Sequence, residues 1–355
     1  MGDCLLGSKN VYSSENLRKA YYVLEKISDN INGDCVITDN DILKEIEKQK
    51  DELYKERVRL RDKQREINKC LCEESRFENL KEVLINALSD IPKLKEFKKV
   101  EYKPKENLEA SLLISDVHMG IKIDNQFNYY DMDVVQDRLN QLVNKTIYYC
   151  KLHKVQKLNV ELLGDIVSGI IQVTGRVEQE EDIITQVITA GEMLSDIILE
   201  LNKHIPEICV LTVFGNHSRV VPNKKESLNR ENFERLIYHH IKTRLPNIKI
   251  TTSLNDDFLV CKIANKNVIL THGDKDGTNN AVYNFENLLN IKPDEIHMGH
   301  FHSFMIKDNN DCEIVVNGAV VGTDEYAVSI RKSTKPSQTL RIYDMDVCTY
   351  KIVLN

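Results

Sequence analysis

The 355-residue chain has no apolar run approaching the roughly 20 residues that a membrane helix needs. Its first residues, Met-Gly-Asp-Cys-Leu-Leu-Gly-Ser-Lys, do not place a basic segment before a long apolar one. No signal peptide is therefore expected, and the expected compartment is the cytosol of a bacterium or of a phage-infected cell. Cysteine is present without a pattern: nine residues, an odd number, and no Cys-x-x-Cys. Cys70 and Cys72 are the one close pair, and on a helix they point to different faces. This argues against a disulfide framework or a thiolate zinc site and fits reduced thiols. There is no internal repeat and no low-complexity segment. Positive charge is also not in excess, for the net charge is −7. That argues against a globally basic nucleic-acid binder. It leaves room for a local basic groove, because bound divalent cations can reverse the field at a site.

Hydrophobic residues at 41% and charged residues at 29% describe an ordinary soluble protein, long enough for one large domain and a smaller one. One stretch organises the rest. Leu112–Gly120 reads Leu-Leu-Ile-Ser-Asp-Val-His-Met-Gly, a short apolar run that ends in Asp116-x-His118. Side chains two apart on a strand point the same way, so both could leave a strand end toward one ion. Four later segments repeat the device. They are Leu-Leu-Gly-Asp165, Val-Phe-Gly-Asn216-His217, Ile-Leu-Thr-His272-Gly and Met-Gly-His300-Phe-His302. One such segment is weak, since a lone Asp-x-His is more often a surface pair. Five in succession, each at the end of an apolar run, are a strong signal.

That order of motifs resembles the calcineurin-like metallophosphoesterase superfamily. Within it, the chain looks most like the DNA-nuclease branch of the SbcD type, and like small phage and prophage exonuclease-like proteins. Gly-Asn-His-Ser-Arg at 215–219 and Asn-Gly-Ala-Val-Val-Gly-Thr-Asp-Glu-Tyr-Ala at 317–327 carry the latter likeness. The resemblance covers about residues 110–345. It implies a four-layer α/β/β/α sandwich; the element pattern by itself only allows one. It also implies two divalent ions, which activate a water and stabilise an in-line displacement at phosphorus. Asp116, His118, Asp165 and His302 would hold the first ion. Asp165, Asn216, His272 and His300 would hold the second, with Asp165 as the bridge. Oxygen and imidazole donors without thiolate suit Mn²⁺ or Fe, with Zn²⁺ or Mg²⁺ as alternatives. By the same resemblance His217 is not a ligand but assists the leaving group, against the blander reading of a supporting residue.

Two positions depart from the family pattern. Relatives often follow the histidine with an acidic residue that orients it; here Ser218 and Arg219 follow. Arg219 could contact phosphate through its planar fork, or be a plain surface arginine. Many phosphatases continue Gly-Asp-x-x-Asp/Asn, whereas this chain has Ser168 and then Gly169. Ser168 is a poor metal ligand, and the phosphoprotein-phosphatase reading is weakened. Asn128 either lines the cleft or caps a loop. His297 falls within a strand, and His153, His204, His239 and His240 belong to helix surfaces or ends.

Residues 1–105 read as an N-terminal helical region and linker, and 106–355 as the catalytic domain. Helices are expected over 15–28, from about 41 onward, and over 76–89, with a turn at 32–34 and a Lys-rich linker from Pro92 to Pro104. Ile46, Leu53, Leu60 and Ile67 recur every seven residues, but the companion column holds Lys50, Arg57 and Gln64, so the stripe is narrow. It is a solvated helix, a self-association arm that makes a homo-dimer or oligomer, or a grip on nucleic acid. Further helices are expected over Asp131–His153, Glu178–His204 and Leu228–Arg244, and only short strands after Pro246. About fifty residues follow His302, so no C-terminal segment for an SbcC-like ATPase partner is expected. Three functions remain. The first is a manganese-dependent DNA nuclease, probed by whether the cleft is an open basic groove. The second is a small-molecule or cyclic-nucleotide phosphoesterase, which needs a lidded pocket. The third is a non-catalytic scaffold, disfavoured because every ligand position is intact.

Overall fold

The computed structural model describes residues 21–25, 39–89, 91–94, 100–171, 181–253 and 257–355. The turn expected at 32–34 and the start of the helix expected from 178 lie outside these residues; of the helix expected over 15–28, residues 21–25 are described and are helical. The chain divides into two compact units, Met1–Asn79 and Leu80–Asn355.

Helix α1 runs without interruption over Asp39–Ser89, 51 residues, where two helices were expected. Nothing in that stretch breaks a helix: it contains no glycine and no proline. From residue 42 to 69 its side chains are exposed, apart from a partly covered Gln49. Leu84, in its last turns, is buried in the core of the second unit.

The second unit is a four-layer α/β/β/α sandwich. Its first sheet has six strands. The parallel strands β1 (Glu109–Ile114), β4 (Lys157–Leu162), β5 (Glu207–Thr212) and β6 (Lys249–Thr252) lie side by side. The chain's last two strands, β12 (Ser337–Tyr343) and β13 (Val347–Val353), return antiparallel beside β1. The second sheet holds β7 (Phe258–Ile263), β8 (Lys266–Thr271), β9 (Glu295–Met298), β10 (Met305–Asn309) and β11 (Cys312–Val316), in the order β10-β11-β9-β8-β7. Alternation along β1 shows how the layers form. Leu112 and Ile114 face the helices α2 (Met132–His153), α3 (Ile183–His204) and α4 (Glu234–Arg244), while Leu113 faces the other sheet. A strand buried on both sides is mostly apolar, as Leu112–Ile114 and Val268–Leu270 are; the buried Glu161 of β4 and His297 of β9 are exceptions that face each other. The second sheet's outer face is covered by α5 (Ala281–Leu289) through Ala281, Val282 and Phe285.

Asp131 caps α2 through its carboxylate, accepting from the Val134 amide at 2.9 Å. Helix α4 begins at Glu234, six residues later than expected. The Asn232 side chain takes the Glu234 amide and donates to the Gly215 carbonyl, so the chain before it is committed to a turn. Helix α5 and a small hairpin, β2 (Ile123–Asn125) with β3 (Asn128–Tyr130), were not anticipated. Asn128 caps a loop: its amide donates to the Val321 and Thr323 carbonyls, and its oxygen accepts from Arg138.

Candidate metal centre

The parallel strands β1, β4 and β5 end along one edge of their sheet, and β8 and β9, parallel neighbours, do the same in the other. The five motif loops leave from these ends, as ligand sites do in open α/β sheets. The loops are tied to each other by backbone. The Val117 and His118 amides both donate to the Asp165 carbonyl, at 2.9 and 3.0 Å, and the Asp116 amide donates to Gly164. The His300 amide donates to the Asp116 carboxylate at 3.1–3.2 Å.

Strand alternation does not aim the ligands. Strand β1 ends at Ile114, and Asp116 and His118 lie beyond it at φ of 53° and 51°. Asp165, His300 and His302 also adopt positive φ, at 53°, 67° and 54°. Each such residue without glycine's freedom costs about 1–2 kcal/mol, and such conformations gather at functional sites. Two glycines permit the close approach. A Cβ on Gly215 would lie 2.1 Å from the Asp165 nitrogen, and one on Gly299 2.8 Å from Ser115 Cβ and 2.9 Å from Asp116 Oδ2.

The side chains converge in overlapping groups: Asp116, His118 and His302 form one, Asp165, His272 and His300 another, and His118, Asp165 and His217 a third that joins them. His302 Nε2 lies 3.2 Å from Asp116 Oδ1 and 3.3 Å from His118 Nε2. Asp165 Oδ2 lies 3.0 Å from His272 Nε2 and 4.0 Å from His118 Nε2. His272 Nε2 also meets Asn216 Oδ1 at 3.1 Å, and His300 joins Asp165 and His272. Within each group the donor atoms lie within 4.8 Å of one another. An ion bound at about 2.1–2.2 Å has ligands roughly 3–3.5 Å apart along the edges of its polyhedron. The 3.0–3.3 Å separations around His302 and around His272 fit such edges, so the donors present suit a divalent cation in each of those two groups; the 4.0 Å from Asp165 to His118 is longer.

The buried carboxylates make this a site for positive charge. Burial and the neighbouring His217 push His118 down to about 3, leaving its lone pair free to bind a cation. Burial alone would also depress His272, but Asp165 and Asp116 outweigh it and hold it at about 10. Asp165 resists the burial that would raise it and is held well below the usual carboxylate range, chiefly by His272 and His217. His272 Nδ1 faces the Leu163 carbonyl at 2.8 Å, which points Nε2 at the site.

His217 stands beside the cradle. Its ring meets His118 edge-on with centroids 4.6 Å apart, and its backbone amide donates to Asp165 Oδ1 at 2.8 Å. Its Nδ1 lies 3.3 Å from the Ser168 carbonyl. Ser218 does not orient it; that hydroxyl donates to Gly215. Arg219 binds its own loop, donating through Nε, Nη1 and Nη2 to the carbonyls of Asn216, Val221 and Pro222.

The sequence reading did not single out Glu234. It is fully buried, and its two oxygens accept from the Ile166 and Gly215 amides at 2.7 and 2.8 Å. One carboxylate thus clamps the Asp165 loop to the Asn216 loop. Burial and then Asp165 push it up to about 7. A glutamate at a helix start carries no signal of this in a single sequence. His297 was read as a plain strand residue, yet it lies buried between Glu161, at 2.7 Å, and Glu295, at 3.0 Å.

The centre is a pair of oxygen-and-imidazole cradles, preformed at the edge of a four-layer sandwich. No protein-family model matches the chain. It is similar to the uncharacterised SPbeta prophage-derived protein YonJ of Bacillus subtilis (strain 168), with 25% identity over 331 residues that cover 89% of this chain and 82% of that protein. Among solved structures it is similar to an archaeal phosphodiesterase (14% identity, 68% and 99% of the two chains, TM-score 0.36). It is also similar to wild-type Vps29 complexed with zinc from Entamoeba histolytica (16%, 69% and 99%, TM-score 0.32). Another is a conserved uncharacterised protein, a predicted phosphoesterase, from Streptococcus pneumoniae (10%, 71% and 95%, TM-score 0.32).

Proposed function

We propose that this protein is a two-metal phosphodiesterase acting on DNA, with manganese as its working ion. One observation carries the reading: the Asp165 carboxylate lies between two donor groups, 3.0 Å from His272 of one and 4.0 Å from His118 of the other, and four histidines and two further side chains complete them. The chemistry that two divalent cations supply in such a cradle is polarisation of a phosphoryl oxygen and activation of water. Asp116, His118 and His302 would hold one cation and Asn216, His272 and His300 the other, with Asp165 placed to serve both. His217 is placed to work as the general acid. With Nδ1 engaged by the Ser168 carbonyl, its Nε2 proton goes to the departing oxygen. The carbonyl fixes the ring but accepts no proton, so it replaces only the orienting part of the acidic partner. Arg219 leaves two of a guanidinium's five N–H groups unused by its loop, and these contact the phosphate.

DNA is favoured by the cleft beside Asn216, which Arg219, Lys224, Lys275 and Asn229 line, and by the prophage origin of the similar protein. A second reading, a small phosphodiester substrate, has an observation of its own. Lys224 and Lys275 are paired to Asp274 and Asp257 at 2.9 and 2.6 Å, which weakens the field a polymer would feel. The deciding experiment incubates the protein and Mn²⁺ with end-labelled single- and double-stranded DNA, a cyclic nucleotide and a chromogenic diester. Cleavage of DNA is expected. Turnover of the cyclic nucleotide alone would establish the second reading, and inertness toward all four would leave a scaffold.

A further inference from the structure

Helix α1 carries a face that the described residues leave bare. Ile46, Leu53, Leu60 and Ile67 are 54%, 58%, 67% and 53% exposed, and Leu43 and Leu71 are 57% and 56% exposed. Written as heptads, the first four occupy d positions. Leu43, Lys50, Arg57, Gln64 and Leu71 occupy the a positions. Four leucines and isoleucines at strict seven-residue spacing, all solvated, ask for a partner helix. The charges say which one. Residues 39–56 carry seven acidic and four basic side chains, while residues 57–71 carry two acidic and six basic. A helix acidic toward one end and basic toward the other complements itself only when reversed.

We infer that α1 pairs antiparallel with α1 of a second copy of this chain, centred between Val58 and Arg59. In a parallel pair Lys50 would meet its own copy, and so would Arg57, burying two like-charge layers. Reversal removes both clashes. Arg57 then faces Leu60 of the second copy, Lys50 faces Ile67, Gln64 faces Leu53, and Ile46 meets Leu71 at each end. The long aliphatic stems of Lys50 and Arg57 cover apolar surface while their heads reach water. In the flanks, Glu56 lies against Lys63 of the second copy, and Tyr54 against Arg61, each twice by symmetry. This register overlaps residues 43–74, a seam of about 48 Å.

Sedimentation of the 41.0 kDa chain over about 1–100 µM tests the pairing. A dimer is expected. Leu53→Asp combined with Leu60→Asp should give a monomer, with Kd raised roughly a hundredfold or more, unchanged helical content and an unchanged unfolding midpoint for the sandwich. Glu56→Lys should weaken the dimer about three- to tenfold, and adding Lys63→Glu should restore it. A wild-type chain that stays monomeric, with the stripe covered by its own residues or another protein, overturns the inference. So does a double-Asp variant of unchanged mass. Rescue of Glu56→Lys by Arg61→Glu instead of Lys63→Glu identifies a parallel pair and overturns the antiparallel register.

Discussion

His297 sits where two sheets meet, and its charge is a measurable part of what holds them together. It is wholly buried, with Nδ1 2.7 Å from Glu161 of the first sheet and Nε2 3.0 Å from Glu295 of its own strand. Arg341 lies 3.2 Å from Glu295, and Lys266 and Tyr343 also reach that carboxylate. Burial alone would push the imidazole down, but Glu161 and Glu295 outweigh it and hold it at about 9 instead of 6.5. A rise of that size corresponds to about 3 kcal/mol of stabilisation by the proton. The sign follows from the direction. A histidine raised in the folded state contributes fully below about pH 6.5 and loses that contribution as pH rises through about 9. The His297→Gln variant keeps a neutral donor there and has no such dependence. Urea unfolding of both proteins, with chelator present, should show wild type ahead at pH 6 and the gap closing by about 3 kcal/mol by pH 10. Parallel stability curves over that range would refute the charged imidazole.

Four further outcomes follow from the site. His217→Ala should bind two equivalents of Mn²⁺ by calorimetry yet lose roughly two to four orders of magnitude in turnover; metal loss would instead make it a ligand. Asp165→Asn should lose both ions or bind them out of place, measurable as reduced metal stoichiometry after dialysis, because its carboxylate lies between the two donor groups, 3.0 Å from His272 and 4.0 Å from His118. Glu234→Gln supplies one acceptor where the Ile166 and Gly215 amides need two, so it should cost about 1–3 kcal/mol in denaturant unfolding. Gly215→Ala drives a methyl to 2.1 Å from the Asp165 nitrogen, so Mn²⁺ affinity should fall sharply even where circular dichroism shows the chain folded.

The strand-end motifs were legible because a strand buried on both faces is mostly apolar, and a polar donor just past its end breaks the run abruptly. Asp116, His118, Asp165, Asn216, His272, His300 and His302 stand out for that reason, and the structure brings all seven together with His217. Helix α1 was legible as a helix but not in its continuity, since nothing in a sequence marks where a charged helix fails to stop. The hairpin Ile123–Tyr130 and helix α5 were too short for periodicity to show.

By itself the sequence determined the donor chemistry: oxygen and imidazole, no thiolate, carried on five apolar runs. It determined likewise that the second half would be strand-rich. Only the tertiary structure decided the aim. Five of the candidate donors, Asp116, His118, Asp165, His300 and His302, sit on left-handed backbone, which costs energy for any residue but glycine. Neighbouring loops enforce that conformation through shared carbonyls and the buried Glu234 carboxylate. Such strain is held by contacts between residues far apart in the chain, so no local reading of side chains could have contained it.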